Sequence, residues 1–195
     1  LVSAAGQIPA FCLSLFAGVM VDRWKRLPLL KWTQALSMLE SFGLAAVAFS
    51  TAKYHDQVPA GVATAAVGGL CALAAFQGLV NAFDVPARQS LVVHLVDKRE
   101  DLGNAIALNS SMFNLARAIG PLAAGTLIYF FSEGWCFAID GVSYGAVLIA
   151  LTMMKVNEPA PPPQSERRHV LVELKEGVKY VWHFQALRGI LTLLG

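Results

Sequence analysis

Residues 2–21 carry no charged side chain, and the next five positions, Asp22-Arg23-Trp24-Lys25-Arg26, carry four charges. Apolar sequence then resumes, and the alternation continues down the chain. A helix needs about twenty apolar residues to cross a bilayer. Five runs qualify: 2–21, 32–52, 61–83, 105–131 and 134–154. The second, fourth and fifth hold one charge each (Glu40, Arg117 and Asp140), and the others hold none. A sixth run opens near Ile190. Hydrocarbon offers no water to unpaired backbone groups, so such runs must satisfy themselves as helices. The short alternating strands of a transmembrane barrel are absent from the sequence. Charged residues make up 14% of the chain, against about 25% in a soluble protein. The fold class expected is therefore an all-α membrane protein.

The connections between runs sort the cations. Residues 22–31 hold four Lys or Arg, 84–101 hold three and 155–189 hold six, whereas 53–60 hold one and 132–133 none. Alternate connections lie on opposite sides of a threaded membrane, so thirteen cations face one side and one faces the other. The cationic side is expected to be cytoplasmic, and the chain is expected to be a multi-pass membrane protein.

The last connection has two parts. Glu158-Pro-Ala-Pro-Pro-Pro is a stiff spacer, and residues 170–182 place Val170, Leu171, Leu174, Val178, Val181 and Trp182 at helical spacing opposite Lys175, Glu176 and Lys179. That is the pattern of a helix lying at the membrane surface. Residues 1–156 are thus expected to form one transmembrane bundle, 157–189 a cytoplasmic loop and 190–195 the start of a second bundle. The chain opens on Leu1 and stops in a fresh apolar run, as part of a longer protein would. The opening run has no basic n-region, unlike a signal peptide. Cys12, Cys71 and Cys136 all fall in apolar runs, with the spacing of neither a zinc site nor a redox pair.

The edge at 18–26, Gly18-Val-Met-Val-Asp22-Arg23-Trp-Lys-Arg26, resembles the signature between the second and third helices of major facilitator superfamily transporters. FDVPARQSL, ALNSSMFNLARAIGPLAAG and EGWCFAIDGVSY resemble the branch that holds the enterobactin exporter and related drug exporters. The resemblance implies a fold of twelve helices in two bundles. Residues 2–21 would be the second helix, 134–154 the sixth, and Ile190 would open the seventh. It also implies roles. Gly18 would let a neighbouring helix approach, as small residues do in membranes. Asp22 would face the positive N-terminus of a helix in the C-terminal bundle. Arg23 and Arg26 would pair with acids at inner helix ends, with Asp84 the best local partner. Such contacts would lock the inner side and break as it opens. Lys25 and Leu27 depart from the signature, standing where Gly and a second basic residue are common. Many proton-coupled members carry an Arg four residues before a Gly in the fourth family helix; Ala74, before Gly78, stands there.

Charges inside the runs are costly and normally face a polar interior. Arg117 lies about 18 Å into its run at 1.5 Å per residue, on one stripe with Ser110 and Asn114. Pro121 cannot donate to the carbonyl of Arg117, so a bend is expected there. Ala116, Gly120 and Ala124 form a small-residue face, and Gly120–Gly125 partly resembles the fifth-helix signature of the family's exporters. Arg117 reads equally as a structural pin or as a contact for substrate or a proton-carrying acid. Glu40 shares a face with Thr33 and Ser37 and is the proton-site candidate. Asp140 is a candidate for an outer gate or cavity rim. Both are candidate partners of Arg117. His55, His94, His169 and His183 fall in expected connections.

No phosphate-binding loop, no GxSxG, no HExxH and no metal-ligand spacing occurs in the sequence, and the cations lack the aromatic interleaving of a nucleic-acid groove. The reading is a non-enzymatic secondary exporter of small amphipathic molecules without cofactor, metal or nucleic acid. Its partners would be the lipid bilayer, the C-terminal bundle of the same chain, a small-molecule substrate and protons. The alternatives are a membrane scaffold or regulatory subunit, or a lipid transporter module fused to an acyltransferase. The sidedness predicts that single cysteines at Lys25 and Arg167 of the full-length protein react with an impermeant maleimide in inverted vesicles, and that both are shielded in intact cells. Labelling from opposite sides would refute the topology.

Overall fold

The structure, a computed structural model, describes residues 6–7, 13, 16–18, 20–21, 23–54, 59–96, 98–154 and 156. The first apolar run is therefore described in part. Asp22 and everything from residue 157 onward, including the surface helix expected at 170–182 and the run at 190–195, lie outside the described residues. The described residues form four long helices and no strand: α1 (Arg26–Ala52), α2 (Ala60–His94), α3 (Leu102–Phe130) and α4 (Glu133–Met153). A 3-10 turn at Arg99–Asp101 leads into α3. Before α1, residues 16–18 and 20–21 are helical. α1, α2 and α4 are long and apolar enough to cross a membrane. α3 has the length, at 29 residues, but its first half carries Asn104, Asn109, Ser110, Ser111, Asn114 and Arg117, which dilute its hydropathy.

Local chemistry explains the boundaries. Lys25 is extended (φ −69°, ψ 127°), and Pro28 in the first turn of α1 costs nothing, because amides there have no partner inside the helix. Ser132 is fully extended between α3 and α4. One boundary departs from the sequence reading. The stretch 84–94 was expected to be a connection, yet α2 runs unbroken through Pro86 to His94. Proline removes a single rung of the helix, and the residues after it have reasons to stay helical: Ala87 and Leu91 are buried one turn apart. Asp84, Arg88 and His94 are consequently helix residues. His94 ends α2, with Nδ1 2.8 Å from the Ser90 carbonyl, and does not sit in a loop. α3 likewise continues through Pro121.

α1 is the axis of the bundle. Its main partners are α4 and α2, whereas α3 touches its neighbours lightly and has no buried residue. Facing pairs fix the register. On α2, Arg26 meets Ser90, Ser37 meets Gln77, Gly43 meets Leu73 and Gly69 meets Val47. On α4, Ser41 meets Asp140, Phe42 covers Gly141 and Phe49 covers Gly134. Numbers rise on α1 as they fall on its partner, so both neighbours run antiparallel to it. The helix ends bordered by residues 21–30, 87–101 and 151–156 thus share one end of the bundle. Val21, Leu30, Ala87, Leu91 and Leu151 form an apolar cluster there. The described cations Arg23, Lys25, Arg26 and Lys31, around the start of α1, and Lys98, beyond α2, therefore lie at that end.

Lipid tails are as apolar as leucine, so helices in membranes hold together by close packing and internal hydrogen bonds. Three glycines do that work. A methyl at Gly78 would collide with the Gly6 carbonyl, and Ala74 touches the same glycine from the next turn. A methyl at Gly134 or Gly141 would press into the rings of Phe49 or Phe42 at 2.7 and 2.9 Å. Nothing described approaches Gly18, Gly120 or Gly125 within 4 Å of such a methyl. Gly78→Ala is expected to cost about 1–3 kcal/mol, the usual range for overpacking. Gly145→Ala, where a methyl meets open space, should leave stability unchanged. Thermal melting of the full-length protein in detergent checks both.

Candidate functional site

The buried face of α1 is polar. Thr33, Gln34, Ser37, Glu40 and Ser41 are buried, at the three- and four-residue steps that place them on one stripe. In a membrane this stripe must be matched by partners on other helices, and it is. Asp84 of α2, itself buried, accepts a hydrogen bond from Gln34 Nε2 at 2.7 Å on Oδ1. Thr33 Oγ1 lies 2.7 Å from the same oxygen and 3.0 Å from the Leu30 carbonyl, so its one proton is shared between them. The other carboxylate oxygen, Oδ2, pairs with Arg88 one turn further along α2. Toward the cationic end, Arg26 Nε donates to Ser90 Oγ at 3.2 Å. Further into the bundle, Ser37 Oγ donates to Gln77 Oε1 at 3.3 Å.

A second polar contact joins α1 to α4. Ser41 Oγ donates to Asp140 Oδ2 at 2.7 Å. Glu40, the adjacent residue, lies within electrostatic reach of Asp140, and Tyr144 of α4 lies within reach of both. Two carboxylates and a phenol therefore share the α1–α4 side.

The third feature is a cavity of about 550 Å³ between α2 and α3. α2 lines it with Asn81, Asp84, Val85, Arg88 and Gln89, and α3 with Asn109, Ser110, Phe113, Asn114 and Arg117. The size falls in the range of small-molecule sites. The Arg88 guanidinium carbon sits 5.9 Å from the centre of the Phe113 ring, a cation–π contact that links α2 to α3. Among the described residues Arg117 makes no ion pair or hydrogen bond.

The structure thus divides the residues singled out from the sequence. Asp84, Asn114 and Arg117 come together around one cavity. Glu40 and Asp140 come together on another side, and neither pairs with Arg117. The ion pair that Asp84 makes is with Arg88 on its own helix. Asp22 lies outside the described residues. Arg23 faces the turn after residue 21, its amide bonded to the Met20 carbonyl at 3.0 Å. Gly120, Pro121 and Gly125 lie on the exposed side of α3. Sequence reading missed Gln34, Arg88, Gln89 and Phe113. The signal for Arg88 was its four-residue step from Asp84, concealed because the apolar run ends at that first charge.

The comparisons with known proteins fit this geometry. Residues 1–193 match the family model described as transmembrane secretion effector, a branch of the major facilitator superfamily. The chain belongs to this family. It is 26% identical over 147 residues to the Staphyloferrin A transporter of Staphylococcus aureus, covering 75% of this chain and 34% of that protein. It is 24% identical over 192 residues to the multidrug efflux pump Tap of Mycobacterium tuberculosis, covering 97% of this chain and 44% of the pump. The chain therefore spans less than half the length of these relatives. No solved structure gives a significant match. This family member is a multi-pass membrane protein of a transporter class, as the apolar runs implied.

Asp84 ties three donors, and leaving them without an acceptor is expensive in a low dielectric. Asp84→Ala is expected to cost about 2–3 kcal/mol of stability. Asp84→Asn, which keeps one acceptor oxygen for Thr33 or Gln34, should cost less. Melting temperatures of the two variants of the full-length protein, in detergent, order the effects.

Proposed function

We propose that this chain forms part of a secondary active exporter of small amphipathic molecules that works by alternating access between two helical bundles. The observation that carries the reading is the α2–α3 cavity, lined by amides, a hydroxyl, a carboxylate and two guanidiniums. Polar groups at such positions in membrane helices are costly to keep and usually serve the transported species. The relatives named above, the Staphyloferrin A transporter and the multidrug efflux pump Tap, support transport of small molecules, the second of them outward.

In this reading Asn114 and Arg117 contact substrate. Asp84 with Arg88 holds α2 against α1, and Gly18, Asp22, Arg23 and Arg26 bias the inward-closed state at the cationic end. Glu40 and Asp140, close together on the α1–α4 side, carry the coupling proton between them. That arrangement places proton and substrate on different faces of the bundle, and movement of α1 communicates between them. Ala74, at the place of the relay arginine of many proton-coupled members, favours the scaffold reading as the second choice. Ala74 and Gly78 border Gly6, and neither brings a charge there.

Vesicles containing the full-length protein, with an imposed pH gradient and a fluorescent amphipathic dye, separate these readings. Dye flux should follow the gradient and fall about tenfold or more in Arg117→Ala at matched protein level, the loss expected for a charged hydrogen bond. Glu40→Gln should abolish the gradient dependence while leaving dye binding intact. Flux unaffected by Arg117→Ala and by a protonophore would overturn both assignments; absence of any flux would favour the scaffold.

A further inference from the structure

The charges around the cavity do not cancel. Asp84 is spent on Arg88, Thr33 and Gln34, and Arg88 in turn is held by Asp84 and by the Phe113 ring. Arg117 lines the same space with no acid beside it among the described residues. The acids Glu40 and Asp140 lie on the α1–α4 side, within electrostatic reach of each other, and neither lines the cavity. The cavity therefore carries one net positive charge from its described walls. Its remaining polar groups are mostly amides, whose NH₂ groups donate: Asn81, Gln89, Asn109 and Asn114. Val85 and Phe113 provide an apolar wall beside them.

From this charge balance and lining, the geometry points to an amphipathic organic anion as the ligand of the α2–α3 cavity. Its carboxylate is received by the Arg117 guanidinium and the neighbouring amides, and its apolar body lies along Val85 and Phe113. Guanidinium and carboxylate match as a two-bond fork, and an ammonium or guanidinium ligand would instead meet the net positive charge of the described walls. This deepens the exporter reading by naming its substrate class, yet the test below reads binding and needs no transport. No covalent step is involved.

Two dyes of the same ring skeleton and opposite charge provide the probe: carboxyfluorescein, an anion, and rhodamine 6G, a cationic ester. Fluorescence anisotropy with the purified full-length protein in neutral detergent should give tighter binding of carboxyfluorescein. Arg117→Gln should weaken that binding about tenfold, Arg117→Lys should retain most of it, and Arg117→Glu should reverse the preference toward rhodamine 6G. Retention by the lysine variant separates loss of charge from misfolding, and unchanged melting temperatures check the glutamine variant.

Tighter binding of rhodamine 6G by the wild type, or equal carboxyfluorescein binding in wild type and Arg117→Gln, would overturn the proposal. A lipid headgroup could supply the same negative charge, so the measurement is repeated in nanodiscs of phosphatidylcholine and of phosphatidylglycerol. Equal dye affinity in the two supports a soluble anion; displacement of the dye by phosphatidylglycerol overturns it in favour of a lipid site. Failure of the exporter reading is distinguishable, because it abolishes flux in vesicles while leaving charge-selective binding in detergent.

Discussion

A buried carboxylate in a membrane bundle has no water to solvate it, and its surroundings must be built to do so. Asp84 is that group here. Thr33 and Gln34 from α1 and Arg88 from α2 supply its partners. Much else follows from this one requirement. The register of α1 against α2 is pinned where three donors converge, the polar stripe of α1 must turn inward, and α2 must remain helical past Pro86 for Arg88 to reach back. Through Arg88, the same carboxylate orients a cation over Phe113 and so reaches α3.

The two sides of α1 are held by different means. Against α2 the contact is a ladder of hydrogen bonds, from Arg26 with Ser90 to Ser37 with Gln77. Against α4 it is mainly aromatic rings laid on glycine backbone, Phe42 on Gly141 and Phe49 on Gly134, with Ser41 to Asp140 as the polar link. Phe49 also meets Trp135 edge to face, with ring centroids 5.8 Å apart. The first contact takes its direction from hydrogen bonds, the second from the close fit of rings on glycine backbone.

How much was legible beforehand depended on the physical range of the signal. Hydropathy acts over twenty residues, so the all-helical membrane class could be read directly. So could the shared face of Thr33, Ser37 and Glu40, because helical periodicity is local. The extent of α2 was misread because the apolar run was ended at its first charge, Asp84, whereas a carboxylate with partners on its own and a neighbouring helix can stay inside a helix. Partner choice was out of reach for a different reason. Which acid meets Arg88 or Arg117 depends on the rotation of helices about their axes, and nothing in a one-dimensional pattern sets that angle. Glu40 and Asp140 were both plausible mates for Arg117 on type alone, and the fold sends them to another side.

Pro86 lies between Asp84 and Arg88, in the turn that their ion pair spans. The backbone there lacks the amide that would have bonded the Ala82 carbonyl. The side-chain bridge thus acts as a splint across a gap in the helix's own scaffolding. Whatever draws Arg88 away from Asp84 unfastens that splint, so in this helix a change in charge pairing and a loss of bending stiffness are one event.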